Sequence, residues 1–104
     1  MQVLLVRHAE AGPGEPDELR TLTPEGRRQA RALAERLVEE GIRPDAVLTS
    51  PLLRARETGA TIASACGLEA EADERLAPGA TTGDVRATVA GRRGLVAVVG
   101  HQPD

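Results

Sequence analysis

Short runs of apolar residues alternate along the chain with longer stretches in which apolar side chains recur at helical spacing. The runs at 2–7 (QVLLVR), 46–49 (AVLT) and 95–99 (LVAVV) are continuous and rich in valine and leucine, as in strands buried on both faces. A weaker strand is predicted between positions 69 and 73. Strands that alternate with helices favour an α/β layer fold with a largely parallel sheet.

Three stretches carry the signals of helix starts and stops. The residues TPE at 23–25 supply an N-cap, a proline for the first helical position and an acid in the first turn, and this helix is predicted to end at Gly41. The Ser-Pro pair at 50–51 repeats this start and predicts a second helix that runs to about Cys66. A short third helix is predicted over 82–90.

The composition excludes several classes of function. A chain of 104 residues predicts a single domain over 1–104 with a modest core. It contains no Phe, Tyr or Trp, so it offers no stacking platform for single-stranded nucleic acid. The formal net charge of −3 supplies no basic field for nucleic acid or a membrane, although all 13 basic residues are arginine. One cysteine, Cys66, permits neither an intramolecular disulfide nor a cysteine zinc cluster.

The two ends of the chain carry further expectations. No charged-then-apolar leader precedes the first strand and no apolar run approaches membrane-spanning length, which predicts a cytoplasmic protein. The last predicted strand is followed only by the residues HQPD, whereas an α/β unit ordinarily continues there into a helix. We therefore expect the fold to be incomplete at the C-terminus of this chain.

Charged and ring-nitrogen residues follow three of the predicted strands. Arg7 and His8 follow the first strand, Arg54 lies in the first turn of the helix after the second, and His101 follows the last. Ligands of open α/β sheets bind beyond the carboxyl ends of the strands, and a helix N-terminus favours anions. This combination predicts a phosphoryl site in which arginines neutralise the oxygens and one histidine attacks in line.

The segments that carry these residues are RHA at 7–9, SPLLRARET at 50–58 and VVGH at 98–101. Together they resemble the three signatures of the histidine phosphatase superfamily, whose hallmark is Arg-His-Gly. The Arg-His-Ala variant is found in the small SixA-like phosphohistidine phosphatase branch of this superfamily. Two further motifs resemble the same branch: Arg20 ahead of LTPEG, and the terminal GHQP. The resemblance covers essentially the whole chain. It implies a three-layer phosphoglycerate mutase-like fold, with a mostly parallel central sheet flanked by helices.

The resemblance also implies roles for individual residues. His8 would be the nucleophile, forming a transient phosphohistidine that water then hydrolyses. Arg7 and Arg54 would hold the phosphoryl oxygens, His101 would hydrogen-bond one of them in the transition state, and Arg20 would be an accessory contact. Neither a metal nor an organic cofactor is implied, and inorganic phosphate or sulfate is expected to bind in the site.

The general acid is left open by the sequence. Larger relatives supply it from a glutamate after the third strand or from an acid directly after the second histidine, where this chain has Gln102. The candidates are Glu10, Glu74 and Asp84, or no residue at all. A missing strong acid favours a phosphoramidate substrate, because the leaving imidazole can be protonated in advance.

The sequence therefore predicts a phosphatase that acts on phosphohistidine in a protein partner, in cytoplasmic signal transduction. One alternative is a phosphatase of small phosphate monoesters, such as a sugar, nucleotide or cofactor precursor. Another is a phosphate-binding regulatory module without turnover. Neither nucleic acid nor a membrane is expected as a partner.

Overall fold

A computed structural model of the protein describes residues 1–100, which form one parallel sheet flanked by helices. The strands are β1 (Gln2–Arg7), β2 (Ala46–Thr49), β3 (Ala70–Ala72) and β4 (Leu95–Gly100), and the helices are α1 (Pro24–Glu39), α2 (Leu53–Ala65) and α3 (Thr82–Val89). Two short 3-10 turns lie at Asp17–Leu19 and Glu74–Leu76. The strand order is β1-β4-β2-β3, and every neighbouring pair is parallel.

Helices lie on both faces of the sheet, because alternate residues of each buried strand point in opposite directions. On one face, α1 and α2 pack on the strands through a cluster that includes Ala34, Leu37 and Ile62. On the other face, α3 and the second 3-10 turn cover Leu48, Val96 and Val98 of β2 and β4 with Leu76 and Val89. The predicted α/β fold of three layers is confirmed.

Within residues 1–100, the strand β1 lies at one edge of the sheet, and one of its two faces is uncovered. Leu4 and Val6 pack against the face that carries α1 and α2. The alternate residues Val3 and Leu5 pair in register with β4 but remain 39% and 61% exposed. No element of residues 1–100 covers this part of the sheet.

The predicted start of α1 is confirmed, whereas that of α2 is wrong. The hydroxyl of Thr23 accepts a hydrogen bond of 2.9 Å from the Gly26 amide, and Pro24 is the first helical residue. Ser50 is fully buried, and its amide donates to the Val99 carbonyl over 2.8 Å. Because this bond continues the contact with β4, the chain stays extended, and α2 begins only at Leu53 without a side-chain cap.

No helix within residues 1–100 combines the length and the apolar character that a membrane span requires.

Candidate active site

The carboxyl ends of the parallel strands meet at one edge, where β1 and β4 end side by side. Arg7, the last residue of β1, pairs with Gly100, the last residue of β4. His8 follows β1 directly, and Ser50 follows β2 with its amide bonded to Val99 of β4. The predicted site residue His101 lies outside the described residues.

His8 is half-buried and has a defined ring orientation. Its Nδ1 lies 2.8 Å from the carbonyl oxygen of Ala9. A carbonyl oxygen only accepts hydrogen bonds, so Nδ1 must carry the proton. In the neutral ring the lone pair then resides on Nε2, which is the nitrogen that can act as a nucleophile or base.

A buried threonine joins the His8 segment to the start of α2. The Ala9 amide donates to Oγ1 of Thr58 over 3.1 Å, and the same hydroxyl donates to the Arg54 carbonyl over 2.8 Å. Thr58 is 1% exposed. One side chain therefore fixes the residue after His8 relative to the backbone of Arg54. Sequence reasoning missed Thr58, although its spacing of four residues from Arg54 places both on one helix face.

Thr58→Val is expected to lower the free energy of unfolding by about 1–3 kcal/mol, because the Ala9 amide loses its acceptor while the shape of the side chain is kept. A domain of this size should then melt about 4–8 °C lower for each kcal/mol lost. Thermal unfolding followed by circular dichroism checks this, with Thr58→Ser, which keeps the hydroxyl, as the matched control. Equal melting temperatures for Thr58→Val and the wild type would contradict it.

The segment after His8 is also attached to the start of α1. The Glu10 amide donates to Oε1 of Gln29 over 2.9 Å, and the Glu10 carbonyl accepts from the Thr23 amide over 3.0 Å. A Cβ atom on Gly26 would overlap the Glu10 carbonyl oxygen, so only glycine allows this approach. The glycine of the LTPEG motif thus allows α1 to pack closely against the residues that follow His8.

Two arginines converge on one carboxylate beside the start of α2. Arg54 has a side chain only 4% exposed and donates to both the carbonyl and Oδ2 of Asp17, over 3.0 and 3.3 Å. Arg20 donates from Nη1 to Oδ1 of the same carboxylate over 2.9 Å. The hydrogen bond from Arg20, assisted by Arg54, holds the pKa of Asp17 below its ordinary value. The carboxylate therefore occupies an anion site built by two guanidinium groups.

The structure brings Arg20 and Arg54 together through Asp17, a residue that sequence reasoning did not place in the site. Arg20 is further fixed by donating from Nε to the Gly12 carbonyl over 2.7 Å. Arg7 is exposed at the end of β1, and its guanidinium makes no hydrogen bond or ion pair to another residue between 1 and 100. The sequence gives no direct sign of the Asp17 contact, because Asp17 and Arg54 are 37 residues apart.

The three candidate acids have different surroundings. The carboxylate of Glu10 accepts a hydrogen bond of 2.8 Å from the Thr23 hydroxyl. Asp84 caps α3 by accepting from the amide and hydroxyl of Thr81, and the backbone hydrogen bond lowers its pKa. Such a carboxylate remains ionised at neutral pH, so Asp84 is a poor proton donor. Glu74 lies beyond β3, separated from β1 by two strands, and is exposed.

Next to Glu74, the guanidinium of Arg75 lowers the pKa of Asp73 to about 2. Arg75 also donates to the Ala87 carbonyl over 3.1 Å, so this ion pair connects the second 3-10 turn to α3. In residues 1–100 no group of three or more His, Cys, Asp or Glu side chains could hold a metal ion.

Residues 3–92 match the family model of the histidine phosphatase superfamily, branch 1. The chain belongs to the histidine phosphatase superfamily. Members of this superfamily are hydrolases or mutases, and the family predicted from the sequence motifs is confirmed.

Among solved histidine phosphatases, the chain is similar to the protein histidine phosphatase SixA complexed with tungstate. The TM-score is 0.86 at 31% identity, over 99% of this chain and 70% of that chain. An uncharacterized protein of Picosynechococcus sp. is 34% identical over 100% of this chain and 68% of its own length. A probable phosphoglycerate mutase, GpmB of Serratia proteamaculans, is 42% identical over 73% of this chain and 37% of its own length. The chain thus spans 68% of the length of the first of these two relatives and 37% of the length of the second.

Proposed function

We propose that this protein is a phosphatase that hydrolyses phosphohistidine on a protein partner through a covalent phosphohistidine intermediate on His8. One observation carries the proposal: Arg54 and Arg20 hold a single carboxylate between them, and Thr58 links Arg54 to the residue after His8. Phosphoryl transfer requires guanidinium groups that bind an anion and a histidine nucleophile, and here Thr58 connects the segments that carry them. The similarity to SixA supports the phosphohistidine substrate.

In the first chemical step, Nε2 of His8 attacks the phosphorus of the substrate, and the bond from phosphorus to the substrate imidazole breaks. The leaving imidazole departs with its proton, and the arginines neutralise the phosphoryl oxygens. In the second step, water attacks the phosphorus and the bond to Nε2 breaks, which releases inorganic phosphate and restores His8. The proton on Nδ1, bonded to the Ala9 carbonyl, holds the ring in one tautomer throughout.

The surroundings of the anion site suit a macromolecular substrate. Asp17 belongs to an exposed 3-10 turn, and Leu19 in the same turn is 62% exposed. Arg7 is also exposed at this edge of the sheet. The exposed leucine can contact the protein that carries the phosphohistidine, and Arg7 is accessible to its phosphoryl group.

The proposal is tested with a protein labelled on phosphohistidine, incubated with the chain and quenched in alkali, where phosphohistidine survives. Label on this chain and release of phosphate over time are expected, with turnover faster than for a panel of sugar and nucleotide monoesters. Faster turnover of a monoester would favour a small-molecule phosphatase. Anion-dependent thermal stabilisation without label or phosphate release would instead indicate a binding module.

Asp17→Asn is expected to bind inorganic phosphate or tungstate about two- to fivefold more tightly, because an incoming anion must displace the carboxylate from both arginines. This range corresponds to up to about 1 kcal/mol for ion pairs whose shared carboxylate is 57% exposed. Isothermal titration calorimetry checks it. Glu18→Gln is the matched control, since Glu18 is exposed and its side chain makes no hydrogen bond or ion pair within residues 1–100. Weaker anion binding by Asp17→Asn would show that the carboxylate positions the arginines instead.

A further inference from the structure

A groove of about 870 Å³ lies between α1 and α2, on the side of these helices that faces away from the sheet. Small or apolar side chains line much of it: Leu22, Ala34, Val38, Ala60 and Ala65. Val38 is 57% exposed, so its side chain contributes apolar surface to the groove. The groove therefore offers apolar surface together with room for the close approach of another helix.

The wall of the groove formed by α1 carries four charged residues at intervals of four: Arg27, Arg31, Glu35 and Glu39. Residues at this spacing form a continuous row on a helix. All four are exposed, and none makes a side-chain hydrogen bond or ion pair within residues 1–100. On the rest of α1, by contrast, Arg28 pairs with Glu25 and Arg36 with Glu40.

The order of charges in this row opposes the electrostatics of α1 itself. Cations are favoured at the C-terminus of a helix and anions at the N-terminus. Here Arg27 lies in the first turn, and Glu39 is the last helical residue. An arginine four residues before a glutamate is also the weaker orientation of an intrahelical pair. The row therefore adds no stabilising ion pair within residues 1–100, and its four charges are available to a partner.

We propose that a second copy of this chain packs on the groove, with the two α1 helices antiparallel about a twofold axis that passes between Arg31 and Glu35. Arg27 and Glu39 lie six residues on either side of Leu33, and Arg31 and Glu35 lie two residues on either side. A twofold axis at this point places Arg27 of each copy opposite Glu39 of the other, and Arg31 opposite Glu35. The same patch on both copies then forms a closed, self-complementary interface.

Apolar contact and charge have separate parts in this dimer. Exposed ion pairs contribute little free energy each, so burial of Val38 and the small residues of α2 drives association. The charge row selects the antiparallel orientation, because a parallel one would oppose like charges. In each copy, the N-termini of α1 and α2 adjoin the candidate active site. The antiparallel arrangement therefore directs the two sites to opposite ends of the dimer. Each site stays accessible to a protein substrate.

Sedimentation velocity of the full chain over a concentration series is the test. A reversible monomer–dimer equilibrium is expected, and Arg31→Glu should weaken it at least about tenfold because two attractions become repulsions. The double variant Arg31→Glu with Glu35→Arg restores opposite charges across the axis and should recover the dimer. Arg86→Glu makes the same charge change on an exposed residue of α3 and should leave the dimer unchanged.

Two results would overturn the proposal. The first is a wild-type chain that sediments only as a monomer up to its solubility limit. The second is a dimer that Arg31→Glu leaves intact or that the double variant fails to restore. Circular dichroism of each variant shows whether it is folded. Phosphatase activity is measured separately, so failure of the dimer and failure of the proposed function are distinguishable.

Discussion

His8→Ala is expected to lose turnover of a phosphohistidine protein by about 10³-fold or more and to acquire no alkali-stable label, because the variant lacks the nitrogen that accepts the phosphoryl group. The arginines around Asp17 remain, so binding of inorganic phosphate should persist within a few-fold of the wild type. Rapid-quench measurement of labelled chain and released phosphate, together with calorimetric titration of phosphate, separates the chemical step from anion binding.

A second variant at the same position sharpens this test. His8→Gly leaves space for a free imidazole, and added imidazole should restore part of the phosphate release if the ring is the nucleophile. The chain contains only two histidines. Label that persists on His8→Ala would therefore assign the phosphoryl acceptor to His101 and contradict the role of His8. Both variants are expected to keep a cooperative melting transition, which circular dichroism checks.

Gly26→Ala is expected to destabilise the fold by about 1–3 kcal/mol, the usual cost of forcing extra atoms into a packed site. The new Cβ would overlap the Glu10 carbonyl oxygen and lie 2.9 Å from its carbonyl carbon. Both atoms belong to the backbone, so no side-chain rotation can relieve the contact. Because Glu10 is two residues from His8, movement of this segment should also reduce turnover.

Thermal unfolding checks this prediction, with an expected fall of about 4–8 °C in Tm for each kcal/mol. Gly83→Ala in α3 is the matched control, because the nearest atom to its Cβ would be Oγ1 of Thr81 at an ordinary 3.5 Å. Alanine favours a helix over glycine, so this control should keep or slightly raise Tm. Equal effects of the two substitutions would contradict a specific close approach at Gly26.

Strands and helices were predictable from the sequence because burial of one face requires apolar residues to recur at a spacing typical of each element. The valine-rich run of β4 is buried at every position from Val96 to Val99, as its composition indicates. The meeting of Arg7 with the end of β4 was predictable as well, since parallel strands present their carboxyl ends at one edge. The start of α2 was not predictable, because it depends on the hydrogen bond from the Ser50 amide to β4, which is distant in sequence.

Contacts between residues distant in sequence also explain which site residues were not predicted. Thr58 and Asp17 have ordinary local environments in the sequence, one inside a helix and one in a loop rich in glycine, proline and acids. Each matters through a contact that only the folded chain creates, with Ala9 in the first case and Arg54 in the second. Pattern reasoning finds residues that share an edge or a helix face, but it does not determine how a loop folds back onto them.

The edge position of β1 has a consequence for where the candidate nucleophile is anchored. Within residues 1–100, β1 bonds to β4 alone and has one open face, whereas β4 is paired on both sides. His8 therefore directly follows a strand that, within residues 1–100, has one neighbouring strand. Its position depends on the contacts of Ala9 with α2 and of Glu10 with α1, which lie beyond the end of the sheet.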